Sequence, residues 1–250
     1  MQRTEIASHR GGAFLWPENS MLAFRKALAW PAEQIEFDVH ASAEGEPVVI
    51  HDATLDRTTD GSGPVVAQSW GELQRLRVKG TGGECLPHLS EVAALIGPTA
   101  QRLRLEVKAD VQKLPYPGLV SRCGRLLDGM GLRGRTVFMS FEAPSVAEAA
   151  ALGGFEQIVW LLDGPTLRAL TPEEAVLQCQ RLGASEIGVH VKGASEALLA
   201  ALHGSGLRLS VWGANHADTI HRALMLGVDA MATDDPPLAI ELRRQANPLR

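Results

Sequence analysis

Ile35-Glu36-Phe37-Asp38-Val39-His40-Ala41-Ser42-Ala43-Glu44-Gly45-Glu46-Pro47-Val48-Val49-Ile50-His51-Asp52 holds two apolar, β-rich runs joined by only about six residues, Ala41 to Glu46. A parallel crossover needs roughly a dozen residues or more, usually including a helix. The second run should therefore fold back antiparallel on the first as a hairpin, with Gly45 relieving the turn. Similar runs occur near 5–9, 34–40, 47–51, 102–108, 135–141, 156–162, 185–191, 207–212 and 228–233. Between most of them lie segments with apolar residues at helical spacing, such as Met21 to Leu28 and Leu198 to Leu202. This alternation implies a parallel sheet, open or closed. Subtracting the hairpin's return strand leaves eight parallel strands. Eight βα units in 250 residues fit a TIM (β/α)8 barrel, with its site at the carboxyl ends of the strands.

One interruption breaks the repeat. Residues 53–88 are rich in turn formers (Asp56, Asp60, Gly61, Gly63) and carry one short helical stretch around Ser69 to Leu76. They read as a small cap inserted after strand 2, too short for a domain of its own, so residues 1–250 form a single domain.

The composition is that of an ordinary globular chain, 45% hydrophobic and 21% charged. A net charge of −5 without any basic run argues against a nucleic-acid partner, though not against a small anionic substrate held in a locally charged cleft. Cys85, Cys123 and Cys179 are odd in number and far apart, which suits a reducing compartment and a cytoplasmic location. Met1 to Thr4 run almost directly into the first strand, with no apolar leader region, and no stretch approaches the length of a membrane span.

Strand alternation places Glu36, Asp38 and His40 on one face, and Arg104, Glu106 and Lys108 on one face of the next parallel strand. If Ile35, Phe37, Val39, Leu103, Leu105 and Val107 pack against the outer helices, the polar sets point to the barrel axis. Glu36, Asp38 and Glu106 then converge near its top. Three carboxylates cannot share such a place cheaply without a cation. With oxygen ligands alone, one divalent ion, Mg²⁺ or Ca²⁺, is favoured over zinc. The alternative is an ion-pair network in which Arg10, Arg104 and Lys108 neutralise the acids.

His9, in Ser8-His9-Arg10-Gly11-Gly12, and His51 each end a short apolar run, where a strand would deliver a side chain to an open edge. As a pair beside carboxylates they fit general acid–base catalysis, and phosphodiester cleavage needs one proton taken and one given. Arg10 and Lys108 would hold the phosphate. Trp212 faces the axis and reads as a pocket wall. His190 reads equally as pocket lining or as a satisfied polar residue; His88, His203, His216 and His221 read as solvated. Pro17-Glu18-Asn19-Ser20 opens the first helix, with Asn19 or Ser20 as its N-cap.

Taken in order, these motifs resemble the glycerophosphodiester phosphodiesterase family. The resemblance rests on His9-Arg10-Gly11, Pro17-Glu18-Asn19-Ser20, Glu36-Phe37-Asp38-Val39 and Pro47-Val48-Val49-Ile50-His51-Asp52. It continues through Leu55-Asp56-Arg57-Thr58-Thr59, Glu106-Val107-Lys108, Trp212 and Gly227 to Asp234, covering about residues 6 to 237. It implies a divalent metal on Glu36, Asp38 and Glu106, His9 and His51 as acid and base, and Arg10 and Lys108 on the phosphate. The implied reaction releases glycerol 3-phosphate and an alcohol such as choline or ethanolamine. The first nucleophile, water or a neighbouring glycerol hydroxyl that would give a cyclic phosphate, stays open. Ser20 stands where threonine is common, Ala43 where lysine is frequent, and Gly213 where threonine is usual. Gly213 removes a side chain beside the pocket and leaves head-group preference open. Two other readings compete. One is lysophospholipase D-type cleavage of lysophospholipids, which needs an apolar channel the cap does not offer. The other is a non-catalytic phosphate-binding barrel, against which both histidines stand.

Overall fold

The computed structural model describes residues 3–246; Met1 and Gln2, ahead of the first strand, and residues 247–250 lie outside the described residues. Among the described residues nine strands form: β1 (Glu5–Ser8), β2 (Gln34–Ala41), β3 (Pro47–Val49), β4 (Arg102–Val107), β5 (Thr136–Ser140), β6 (Gln157–Leu162), β7 (Glu186–His190), β8 (Arg208–Trp212) and β9 (Ala230–Thr233). Ten α-helices accompany them: α1 (Met21–Ala27), α2 (Trp70–Leu73), α3 (Leu89–Ile96), α4 (Leu119–Gly129), α5 (Ala143–Leu152), α6 (Gly164–Arg168), α7 (Pro172–Arg181), α8 (Glu196–Gly204), α9 (Ala217–Leu226) and α10 (Pro236–Ala246).

Eight strands pair in parallel in the order β1-β9-β8-β7-β6-β5-β4-β2, and β1 pairs with β2 to close the barrel. The crossover-length argument holds. β3 pairs antiparallel with β2, Val39 opposite Val49 and Ala41 opposite Pro47, through a turn in which Gly45 has φ +80°. β1 reaches only Gln34 and Ile35 of β2, so β3 takes up the edge of β2 above it.

The alternation along β2 and β4 sorts the side chains as the sequence predicts. Ile35, Phe37, Val39, Leu103, Leu105 and Val107 are buried outward among α1, α3 and α4, with Phe37 edge-on to Phe24 at 6.0 Å between ring centroids. Burying each such side chain contributes about 1.5–3 kcal/mol. Inside the barrel, Val137, Met139, Val159 and Leu161 form a separate apolar cluster. Between β3 and α3 the chain wraps its own small core of Val48, Ile50, Leu55, Val65, Leu73, Val78 and Leu86. Among the described residues no helix is long and apolar enough to cross a membrane, and the three cysteines are unpaired.

Candidate active site

Glu36, Asp38 and Glu106 converge as expected: an oxygen of each lies within 4.8 Å of the others, and all three residues are buried. β2 and β4 run in register with Asp38 opposite Glu106, which sets the carboxylates at one level of the barrel. Among the described residues two buried oxygens make no hydrogen bond, Glu36 Oε1 and Asp38 Oδ1, although the Lys108 ammonium lies 3.2 Å from the latter. An orphaned buried carboxylate oxygen is costly, and a cation ligand is one way to satisfy it. Burial and then the charge of Asp38 push the Glu36 carboxyl up to about 7. Asp38 goes the other way. Burial opposes its charge, but Lys108, His51 and Arg10 hold it well below the usual carboxylate range. The donor set therefore fits a hard divalent ion.

Two cations border the acids. Lys108 Nζ donates to Glu106 at 2.6 Å and lies 3.2 Å from Asp38 Oδ1, while Arg10 Nε lies 3.4 Å from Asp38 Oδ2. The third cation of the alternative ion-pair network is elsewhere. Arg104 donates to Glu186 at 2.9 Å, to Gln34 at 3.0 Å and to Ser210 at 3.0 Å, deeper in the barrel. It sits two residues before Glu106 on β4, so it shares the face but lies about 6–7 Å lower.

The histidines stand just past the strands rather than at their last residues. His9 opens a 3₁₀ turn (His9–Gly11) after β1, and His51 follows β3 by two residues. Both expected strand ends are thus overrun by one or two positions. Each ring is anchored at Nδ1 by a carboxylate: His9 to Asp234 at 2.6 Å and His51 to Asp52 at 2.7 Å. That leaves Nε2 of both rings without a hydrogen-bond partner among the described residues. Burial lowers the His9 pKa, but Glu36 and the Asp234 hydrogen bond outweigh it and the net shift is upward. For His51 burial prevails and the shift is downward, with Lys108 and Arg10 adding to it against Asp38.

Several residues support the site in roles the sequence did not assign to them. Asn19 donates to Asp38 Oδ2 at 2.8 Å and accepts the Asp38 backbone N–H at 3.2 Å, so Ser20 alone caps α1. Asn215 repeats the device on Asp234, donating to its carboxylate and accepting its N–H at 2.9 Å. Arg57, from the insertion, donates to Asp52 at 2.7 Å and to Glu18 at 2.7 Å, and Glu18 in turn accepts from Arg10 at 3.0 Å. His40 shares the acids' face but has a structural partner set. Its Nε2 donates to the His51 carbonyl at 2.9 Å and its Nδ1 accepts from Tyr116 at 2.8 Å. Burial pushes its pKa down to about 4. His88 is not solvated as expected: it caps α3 and packs on Trp70 at 4.9 Å.

A cavity of about 590 Å³ opens over the barrel mouth, lined by His9, Arg10, His51, Lys108 and Trp212 among others. A second cavity of about 920 Å³ meets it, sharing His51, Glu106, Lys108 and Phe141. His190 lines the first, edge-on to Trp212 at 4.6 Å.

The model of the glycerophosphoryl diester phosphodiesterase family matches residues 9–238. A glycerophosphodiester phosphodiesterase of Caldanaerobacter subterraneus is 28% identical over 248 residues, covering 97% of this chain and 99% of the relative. A crystal structure from Agrobacterium tumefaciens, provisionally named a glycerophosphoryl diester phosphodiesterase, is 34% identical with a TM-score of 0.93, covering 97% of this chain and 98% of that one. The fold is also that of an Oleispira antarctica phosphodiesterase solved with its product sn-glycerol-3-phosphate, at a TM-score of 0.81 and 22% identity, covering 96% of both chains. With the family pattern spanning the barrel from His9 to the residues after Asp234, the chain belongs to the glycerophosphoryl diester phosphodiesterase family.

Proposed function

We propose that the chain hydrolyses glycerophosphodiesters to glycerol 3-phosphate and an alcohol, with His9 and His51 exchanging the two protons. The observation that carries this reading is the pair of imidazoles in one cavity, each fixed at Nδ1 by its own carboxylate and each with Nε2 left for substrate. One takes a proton from the attacking oxygen, that of water or of a neighbouring glycerol hydroxyl whose cyclic phosphate a water then opens, as the new P–O bond forms. The other gives a proton to the departing alkoxide as the old P–O bond breaks. They enter the site from different supports, β1 and the hairpin arm, which suits action on opposite sides of one phosphorus. Arg10 and Lys108, already held toward the acids, bind the non-bridging phosphate oxygens and offset their charge. Trp212 forms a wall of the pocket. Glu36, Asp38 and Glu106 would hold one Mg²⁺ or Ca²⁺. When bound there, the ion supplies Lewis-acid polarisation of the phosphoryl group. The insertion over about 53–88 acts as a small cap that lends Arg57 to the site, not as a separate domain. Sn-glycerol-3-phosphate, the product held by the Oleispira protein, is the product class assigned here.

The test is hydrolysis of glycerophosphocholine by the wild type, by His9→Ala and by His51→Ala. Each substitution should lower kcat by roughly 10²–10⁴, the usual contribution of a positioned acid or base. Near-normal turnover by both variants would remove the pair from the mechanism.

A further inference from the structure

Gly213, which the sequence left as a missing side chain beside the pocket, is a place already taken. A Cβ on Gly213 would meet His190 Nε2 at 2.7 Å and Cδ2 at 2.9 Å, so the imidazole of His190 fills the space a larger residue would claim. The ring is also held in orientation. It stands at 81° to Trp212 with centroids 4.6 Å apart, and Trp212 stands at 78° to Phe141 at 6.2 Å.

Its tautomer follows from one hydrogen bond. The backbone N–H of Lys192 donates to His190 Nδ1 at 3.2 Å, so Nδ1 carries a lone pair and the proton of the neutral ring is on Nε2. Among the described residues Nε2 has no hydrogen-bond partner, and His190 lines the cavity that holds His9 and Lys108. Burial, then Lys192, lowers the His190 pKa, in the direction that favours the neutral ring.

The charge of the two cavities indicates which arm of a phosphodiester meets this donor. Beyond the residues they share, the second cavity adds Asp52, Asp110, Glu142 and Asp163 against Lys113. The first adds Arg10 and Lys192 against Asp218 and Asp234, its Arg104 being neutralised by Glu186. A cationic alcohol such as choline belongs in the acidic cavity, which leaves the uncharged polyol arm on the Trp212 side.

We propose that His190 is a specificity-determining residue whose Nε2–H donates to a hydroxyl of the substrate's glycerol arm, an assignment that rests on the glycerophosphodiester reading above. The test compares dissociation constants of sn-glycerol 3-phosphate and propyl phosphate, which lacks the hydroxyls, by calorimetry at fixed Mg²⁺. The wild type should prefer glycerol 3-phosphate about tenfold, the worth of one well-made neutral hydrogen bond. His190→Phe keeps a flat ring against Trp212 and removes the donor, so the preference should fall towards one while the propyl phosphate affinity stays within about twofold. His190→Gln, which retains a donor, should restore part of it. Gly213→Ala displaces the ring with His190 intact and should mimic His190→Phe, a thermal melt certifying the fold of each variant. A wild-type ratio near one, or an unchanged ratio in folded His190→Phe, overturns the proposal. A wild type that keeps the ratio but does not cleave glycerophosphocholine overturns the functional reading and leaves the His190 contact standing.

Discussion

Two asparagines carry out the same task at two corners of the site. Each closes a ring with one aspartate, donating to the carboxylate and accepting the backbone N–H of the same residue. Asn19 thereby fixes Asp38, one of the three clustered acids, and Asn215 fixes Asp234, the partner of His9. Asn19 does so with φ +52°, a left-handed conformation that asparagine tolerates better than most residues and that puts its amide under β2 rather than at the end of α1. The two rings predict different losses. Asn19→Ala strips a buried carboxylate and N–H of partners, and should weaken Mg²⁺ or Ca²⁺ binding about 10–100-fold by calorimetry. Asn215→Ala should leave that affinity near normal and lower kcat, because only the His9 support is loosened. Cation affinity unchanged in Asn19→Ala would separate that residue from the acids' function. The acids themselves were legible because strand alternation is strict. The asparagines were not, since each acts on an aspartate 19 residues away through loop geometry that no local pattern encodes.

At the level of elements, the hairpin was the most legible feature, because chain length alone forbids a parallel crossover between β2 and β3. Where strands stop was less so. An apolar run does not mark its last ladder bond, and so His9 and His51 were placed on strands they only follow. The arm between β3 and α3 read as a surface cap, yet Arg57 makes it part of the site. Its guanidinium spans Asp52, which orients His51, and Glu18, which orients Arg10. The pull of these two carboxylates and its own hydrogen bonds raise the Arg57 pKa further, so it is a permanent cation. With its side chain 48% exposed, the pairing should add little stability, under about 1 kcal/mol. Positioning is another matter. Arg57→Gln should lower kcat/KM for glycerophosphocholine roughly 10–100-fold, as small misplacements of catalytic groups do, while the melting temperature moves by less than about 4 °C. A large fall in melting temperature with unchanged kcat/KM would make Arg57 a brace for the arm alone.

For the whole molecule, eight βα units predicted closure, and β1 does close onto β2. What alternation could not give was height along the axis. It put Arg104 with the acids, whereas the barrel separates a lower layer, Arg104 with Glu186 and Gln34, from an upper layer of Glu36, Asp38 and Glu106. The lower layer is neutralised internally; the upper one carries three acids against Arg10 and Lys108 and holds Glu36 up at about 7. The sign of the resulting pH dependence follows. A carboxyl whose folded pKa is raised from 4.5 to about 7 lends the metal-free protein stability that is present below about pH 4.5 and is lost as pH rises through 7. A bound cation reverses this contribution, since it favours the ionised form and must displace the proton to bind. At a free concentration 100 times its dissociation constant a cation adds about 2.7 kcal/mol, or roughly 5–10 °C in a chain of this size. We therefore expect Mg²⁺ or Ca²⁺ added to EDTA-treated protein to raise the melting temperature by that amount near pH 8, and by progressively less as pH falls below 7. Calorimetry near pH 6.5 in two buffers of different ionisation enthalpy should register proton release on binding, and Glu36→Gln should abolish both the release and most of the shift. A cation-induced shift that is the same at pH 6 and pH 8 would mean that Glu36 is already ionised without the metal, neutralised by Arg10 and Lys108 in place of an ion.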